Sequence, residues 1–260
     1  GGIVVQTNPL YMERELEHIL TDSEAEILLA LDLVYPKLAK VVDDTSVKTT
    51  IVTSIKDYLK FPLSLLYGLT AKLPTIRYSE NVLPFRDLMR TKARVRGDAA
   101  APDDVALLQY TGGTTGVSKG VMLSHKGLVA NALQCAAWIT TAERGRETML
   151  ATIPFFHVYG MTTALNYGIY LGAKIVLLPK FDKGKVLKAI QKERPTIFPG
   201  VPAMYMALND HPKVSNFDLT SVAACISGAA PLPAPVKTTF EKYSASKVAE
   251  GYGLSEASPV

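Results

Sequence analysis

The chain has 260 residues, 48% hydrophobic and 20% charged, with 28 Lys+Arg against 24 Asp+Glu for a formal net charge of +4. An apolar fraction near one half excludes general disorder, and 18 Gly and 16 Pro scattered without a period exclude a collagen-like chain. The small positive charge is a weak bias towards anions and gives no ground for a nucleic-acid partner.

The first part of the chain alternates short β-branched runs with helical patterns. Gly1 to Gln6 reads as a strand, Asn8-Pro9 as a turn, and Glu13 to Leu20 as a helix with Leu16, Ile19 and Leu20 at helical spacing. A strand at Ile27 to Leu31, a short helix near Tyr35 to Val42 and a strand at Thr50 to Thr53 follow. From Lys56 to Asp104 prolines at 62, 74, 84 and 102 break the periodicity, so this stretch is expected to be a long connection with a helix or two. Its Arg86, Arg90, Lys92, Arg94 and Arg96 are opposed only by Asp87. A solvated helix face explains them. The sharper alternative is peripheral contact with anionic lipid at the inner face of the membrane, aided by the apolar stretch Phe61 to Leu69.

Alternation then resumes with stronger signals. Strands are expected at Val105–Gln109, Gly120–Leu123, Met149–Ile153, Lys174–Leu178, Thr196–Phe198, Val222–Ser227 and Lys247–Glu250. Helices are expected at Lys126–Ile139, Val158–Tyr170, Lys185–Lys192 and Ala234–Tyr243, with Gly172 and Pro195 as stop signals. The fold class is α/β with mostly parallel sheets flanked by helices, divided into subdomains 1–104 and 105–260. Ligand loops of such sheets lie at the carboxyl ends of the strands.

Cys135 and Cys225 stand far apart in apolar contexts, as small buried thiols in a reducing compartment would, and fit neither a disulfide framework nor a structural zinc site. No run approaches the roughly 18 to 20 apolar residues of a membrane helix, and no secretory leader is visible, so a soluble, cytoplasmic protein is expected. The chain opens without Met on a strand and stops inside a Gly/Ser/Pro segment, as a piece of a longer protein would.

The densest signal is Tyr110-Thr-Gly-Gly-Thr-Thr-Gly-Val-Ser-Lys-Gly120, directly after an expected strand. Gly112, Gly113 and Gly116 let the backbone turn tightly and aim amides at an oxyanion; Thr111, Thr114, Thr115 and Ser118 add hydroxyl donors, and Lys119 adds a positive charge. Such a loop suits a polyphosphate. It is not the phosphate loop of the NTPases, because Ser118 precedes Lys119 and Gly120 follows it, and it holds no G-x-G-x-x-G. The plain alternative is a flexible turn with an exposed lysine.

These residues resemble the phosphate-binding motif of the adenylate-forming superfamily, which includes acyl-CoA synthetases, aryl-CoA ligases, luciferases and peptide-synthetase adenylation domains. The usual form has Ser at Gly112 and Pro at Ser118; losing the Ser hydroxyl weakens one phosphate contact. Pro154-Phe-Phe-His-Val-Tyr-Gly160 is similar to the aromatic segment of that superfamily, whose His lies close to the acyl carboxylate; the resemblance makes His157 a catalytic candidate. As a bare pattern, a lone His among aromatics is more often a core residue. Ser227-Gly-Ala-Ala-Pro-Leu232 resembles the segment packed along adenine, which implies Gly228, Ala229 and Ala230, although the pattern is also common turn chemistry. Gly251-Tyr-Gly-Leu-Ser-Glu256 resembles Gly-Tyr-Gly-x-Thr-Glu, which implies Tyr252 on adenine between Gly251 and Gly253, Ser255 at the α-phosphate and Glu256 as catalytic residue and Mg²⁺ ligand. The opening Val4 to Leu10 is similar to bacterial long-chain acyl-CoA synthetases.

The resemblance implies the large N-terminal domain of an adenylate-forming enzyme with ATP, Mg²⁺, CoA and a fatty acid as partners. Lys119 would neutralise charge on the leaving pyrophosphate. Between Pro154 and Tyr170 there is no carboxylate of the kind that amino-acid-activating relatives carry, so an apolar acid is expected, each buried CH₂ contributing about 0.8 kcal/mol. Gly160, Gly168 and Gly172 leave room for it. Relatives also carry a ribose-binding Asp, a hinge and a mobile C-terminal domain with a catalytic Lys, so these residues alone are expected to lack turnover. A nucleophile elbow at Gly253 to Ala257 would need a later His, and His18, His125, His157 and His211 all precede Ser255. A non-catalytic nucleotide-binding module stays open.

Overall fold

A computed structural model describes residues 2–92, 100–112 and 116–260. The chain forms two compact units: Gly1–Ala99 with Tyr110–Gly120, and Ala100–Gln109 with Val121–Val260. Tyr110–Gly120, which the sequence groups with the second half, belongs to the first unit; its Tyr110 and Ser118 hydrogen-bond to the first helix there.

In the first unit β1 (Val4–Gln6) leads through a turn to α1 (Glu13–Asp22). Asn8 Oδ1 accepts from Leu10 N at 2.9 Å, as an Asx turn requires, and Glu15 reaches back to Met12 N at 2.8 Å to cap the helix. There follow β2 (Ile27–Leu31), α2 (Tyr35–Leu38), a 3₁₀ turn at Val42–Asp44 and β3 (Thr49–Thr53). The helix expected to Val42 stops at Leu38; β-branched Val41 and Val42 are poor helix formers, and a tighter 3₁₀ turn follows at Val42–Asp44. After a 3₁₀ turn at Ile55–Tyr58 come α3 (Leu63–Thr70), β4 (Val82–Pro84) and α4 (Phe85–Leu88). Strands β2, β3 and β4 form a parallel sheet in that order. Leu28 and Ala30 of β2 pack with Leu16, Leu20, Leu38 and Val41. Strand β4 was not foreseen, because Pro84 at its end removes a ladder donor and masks the pattern. Arg90 lies 3.7 Å from Asp87, Arg86 and Lys92 are exposed, and Arg94 and Arg96 lie outside the described residues.

β5 (Val105–Thr111) and β6 (Lys119–Ser124) belong to a three-stranded sheet of order β1-β5-β6, and the division between the units runs through both. The second unit continues with α5 (His125–Trp138), β7 (Thr148–Ala151), α6 (Val158–Gly160), a π turn at Met161–Asn166 and α7 (Tyr167–Leu171). Then come β8 (Lys174–Leu177), α8 (Lys183–Glu193), β9 (Ile197–Gly200), α9 (Pro202–Asn209), β10 (Ala224–Ser227), α10 (Ala234–Ser244) and β11 (Lys247–Glu250). The expected helix at 158–170 is interrupted by the π turn, and α9 was unforeseen although Pro202 suits a first helical turn. Ser124 and Asp182 cap α5 and α8, and Gly172 closes α7 in the left-handed conformation.

These strands make a five-stranded sheet of order β11-β10-β9-β7-β8, parallel at every described pairing. Helices cover both faces, so the strands alternate between two apolar layers. Leu150 and Phe198 join Leu187, Ile190, Tyr205 and Phe240 on one side; Met149, Ala151 and Ile197 join Cys135, Ala164 and Tyr167 on the other. The Phe198, Tyr205 and Phe240 rings lie 4.8 to 6.3 Å apart, within the range of favourable aromatic pairing.

Candidate functional site

The parallel sheet delivers three of the four motif segments to one edge. Pro154–Gly160 follows β7, Gly228–Ala230 follows β10 and Gly251–Glu256 follows β11, all at strand carboxyl ends. Backbone bonds staple that edge: Gly228 N donates to Gly200 O at 3.1 Å and Gly251 N to Ser227 O at 2.8 Å. Leu232 N donates to the Glu250 carboxylate at 3.1 Å, which ties the 228–232 turn to β11.

Tyr159 joins the first segment to the second. Its hydroxyl donates to Gly200 O at 3.1 Å and Ile226 O at 3.0 Å, near the ends of β9 and β10. Its ring lies under Gly228, where a Cβ would stand 2.8 Å from Cζ. Burial pushes the phenol far above its ordinary value of 10.0, so it remains a donor. In the sequence this tyrosine is one aromatic among several in the segment, marked only by the glycine that follows it. Gly160 is obligatory because a Cβ there would collide with Pro154 O. Gln109, also missed, donates from Nε2 to Phe156 O at 3.0 Å and holds the segment from beneath.

His157 caps α6: its Nδ1 accepts from Tyr159 N at 3.4 Å, which leaves Nε2 to carry the proton of the neutral ring. Partial burial holds the imidazole below its ordinary 6.5, so neutral pH finds it uncharged and able to donate from Nε2. Ala229 stands at φ 70, a left-handed conformation uncommon for alanine, and turns the chain sharply after β10.

In the third segment Tyr252 is 82% exposed, an aromatic ring standing open as a stacking platform would. Gly253 lies where a Cβ would strike Pro259 O, and Ser255 and Glu256 begin a 3₁₀ turn at Ser255–Ala257. Glu256 is exposed and has no hydrogen bond or ion pair among the described residues. No cluster of three or more His, Cys, Asp or Glu stands ready for a metal among the described residues. A single free carboxylate still fits Mg²⁺, which keeps several waters and takes one or two carboxylates together with substrate phosphates.

The loop at Tyr110–Gly120 belongs to the first unit. Thr111 ends β5, Gly112 is exposed, and Gly116 has φ 89, which favours glycine. Gly113, Thr114 and Thr115 lie outside the described residues. Ser118 is half-buried with its carbonyl bonded to His18 Nε2 at 2.9 Å. Lys119 is exposed and without an ion-pair partner among the described residues.

The family model described as "AMP-binding enzyme" matches residues 1–260. The chain is 47% identical to a "Long-chain-fatty-acid--CoA ligase" of Bacillus subtilis (strain 168) and 33% identical to one of Escherichia coli O157:H7, in each case over the whole chain and 48% of the relative. Among solved structures, a long-chain-fatty-acid-CoA ligase from Archaeoglobus fulgidus superposes with a TM-score of 0.80 at 28% identity, covering 98% of this chain and 48% of the other. The chain thus spans about half the length of the curated relatives it matches.

Proposed function

Because this chain belongs to the AMP-binding enzyme family, we propose that its parent protein is an AMP-forming long-chain-fatty-acid–CoA ligase. One observation carries the reading: the segments bearing His157, Gly228–Ala230 and Tyr252–Glu256 leave the carboxyl ends of strands in one parallel sheet, and Tyr159 locks the first to the second. The identity to the Bacillus subtilis ligase supports the acid class.

In the first step a carboxylate oxygen of the fatty acid attacks the α-phosphorus of ATP, and the bond to pyrophosphate breaks. In the second the CoA thiol loses its proton to solvent as its sulfur attacks the acyl carbonyl, and the bond to AMP breaks. No proton need leave the acid, which is ionised at neutral pH, so the protein supplies placement and neutralisation of charge. His157 orients the carboxylate by donating from Nε2. Gly228, Ala229 and Ala230 pack along adenine, Tyr252 stacks on it between Gly251 and Gly253, and Ser255 donates to the α-phosphate. Lys119 and the donors of Thr111–Ser118 take up the charge of the leaving pyrophosphate. Bound Mg²⁺, held by Glu256, supplies further positive charge at the phosphates.

ATP–pyrophosphate exchange by the full-length parent, across acids of increasing chain length, tests the proposal. Exchange that rises towards long chains and is lost in Lys119→Ala and Glu256→Gln supports it. Unchanged exchange in both variants, or a change in nucleotide binding alone, points to a non-catalytic nucleotide-binding module.

A specific observation also favours peripheral lipid contact. Helix α3 buries none of its residues; Leu63, Leu65, Leu66 and Leu69, with Phe61 before them, are 53 to 82% exposed. Lys60 and Lys72 flank them, and no acidic residue lies between Tyr58 and Ser79. No helix of the described residues is long and apolar enough to cross a membrane. Flotation with anionic vesicles that is lost in Leu66→Asp/Leu69→Asp supports the contact; binding indifferent to that change and to charge reversal at Lys60 and Lys72 removes it.

A further inference from the structure

The two ends of the Tyr110–Gly120 loop are held by the same helix. His18 and Asp22 lie four residues apart on α1 and therefore share a face. A carbonyl can only accept, so the 2.9 Å contact between His18 Nε2 and Ser118 O is an N–H donation from the ring. One turn further along, Asp22 Oδ2 accepts from the Tyr110 hydroxyl at 2.6 Å, a short bond of the charge-assisted kind. The Tyr110 ring is 5% exposed and meets His18 edge-on, with centroids 6.2 Å apart and planes at 88°. A Cβ at Gly120 would stand 3.1 Å from Tyr110 Cζ, so the residue after Lys119 packs closely on the same ring. Entry and exit of the loop thus converge on one tyrosine and one helical turn.

We propose that His18 and Asp22 are positioning residues that fix both ends of the phosphate loop on α1 and so set where Lys119 is presented. The proposal rests on the reading of Tyr110–Gly120 as that loop. Neither side chain need touch substrate: His18 acts through Ser118, the neighbour of Lys119, and Asp22 through Tyr110. Fixing the loop before ATP arrives removes an ordering cost from binding. The clamp should therefore appear in ATP affinity and not in fatty-acid affinity.

Amide hydrogen exchange of residues 111, 112 and 116–120 in the full-length parent, without nucleotide, reads the clamp directly. Exchange should rise about 3- to 10-fold in His18→Leu, the range one lost hydrogen bond gives, and at least as much in Tyr110→Phe. His18→Gln keeps an N–H donor and should restore slow exchange. The same variants should raise KM for ATP by a similar factor and leave KM for the fatty acid unchanged, whereas general damage to the fold would move both. Tyr110→Phe removes one oxygen and keeps the test available if His18→Leu does not fold. Exchange at the parent level in both variants, or His18→Gln behaving as His18→Leu, overturns the proposal. If Lys119→Ala leaves KM for ATP unchanged while exchange still responds to His18, the phosphate reading fails and the proposed role in ATP binding falls with it.

Discussion

The ring of Tyr159 fills the space in which a side chain on Gly228 would stand, 2.8 Å from the ideal Cβ position. The ring cannot retreat freely, because it is buried and its hydroxyl is bonded to the carbonyls of Gly200 and Ile226. Gly228→Ala should therefore destabilise the protein by about 1 to 3 kcal/mol, the usual range for overpacking. Urea unfolding checks this. In a double-mutant cycle with Tyr159→Leu the two changes should be strongly non-additive, since the smaller side chain vacates the contested space.

Ala229 and Ala230 are adjacent and chemically identical, yet only Ala229 has a positive φ. Replacing Ala229 by Gly relieves a conformation that costs alanine about 1 to 2 kcal/mol. Replacing Ala230 by Gly only loosens the unfolded chain, at about 0.4 to 1 kcal/mol. Ala229→Gly should be the more stable variant by at least about 1 kcal/mol; equal melting temperatures would contradict this.

His157 titrates below its ordinary 6.5 in the folded protein because partial burial disfavours the imidazolium. A depressed folded value means that the unfolded chain binds the proton first. The contribution to stability is complete above 6.5 and is lost as pH falls towards the lowered folded value. Unfolding free energies measured from about pH 8 down to about pH 5 should show a fall that is reduced in His157→Gln. Parallel curves for the two proteins would refute the assignment.

Cys225 is buried beside Ser246, and burial pushes its thiol from 9.0 up to about 12. Burial likewise raises Cys135. A raised folded value stabilises fully below the ordinary 9.0 and is lost as pH climbs towards about 12. Both thiols should resist an aromatic disulfide reagent in the native protein at neutral pH and react together on unfolding. Rapid labelling of the native protein would show that one of them is accessible.

Much of the second unit was legible in the sequence. Strong β-branched runs such as Lys174-Ile-Val-Leu177 and clear stop signals at Gly172 and Pro195 mark elements whose local preference and tertiary role agree. Helix α9 and strand β4 were not legible: both are short, and a proline sits within each, where local pattern and tertiary environment disagree. The π turn was invisible for a different reason. Within it Thr163 Oγ1 bonds back to Tyr159 O at 2.7 Å, one of several options a helical threonine has.

For the candidate site, the motif residues could be named because glycine-rich and aromatic strings survive as patterns. Their supports could not. Tyr159 acts through bonds to two backbone carbonyls, and Gln109, His18 and Asp22 each act through one hydrogen bond to a carbonyl or a phenol, across 47 to 100 residues for these three; no periodicity encodes such a pairing. Tyr110–Gly120 groups with the first unit, where two of those bonds also lie.

The bridge from Tyr159 to the carbonyls of Gly200 and Ile226 has a practical consequence for redesign. A graft of the segment matching Pro154–Gly160 from another member of the family would import a new partner for two foreign strand ends. Chimeras that exchange this stretch together with the ends of β9 and β10 should remain well folded, where single-segment swaps would misfit.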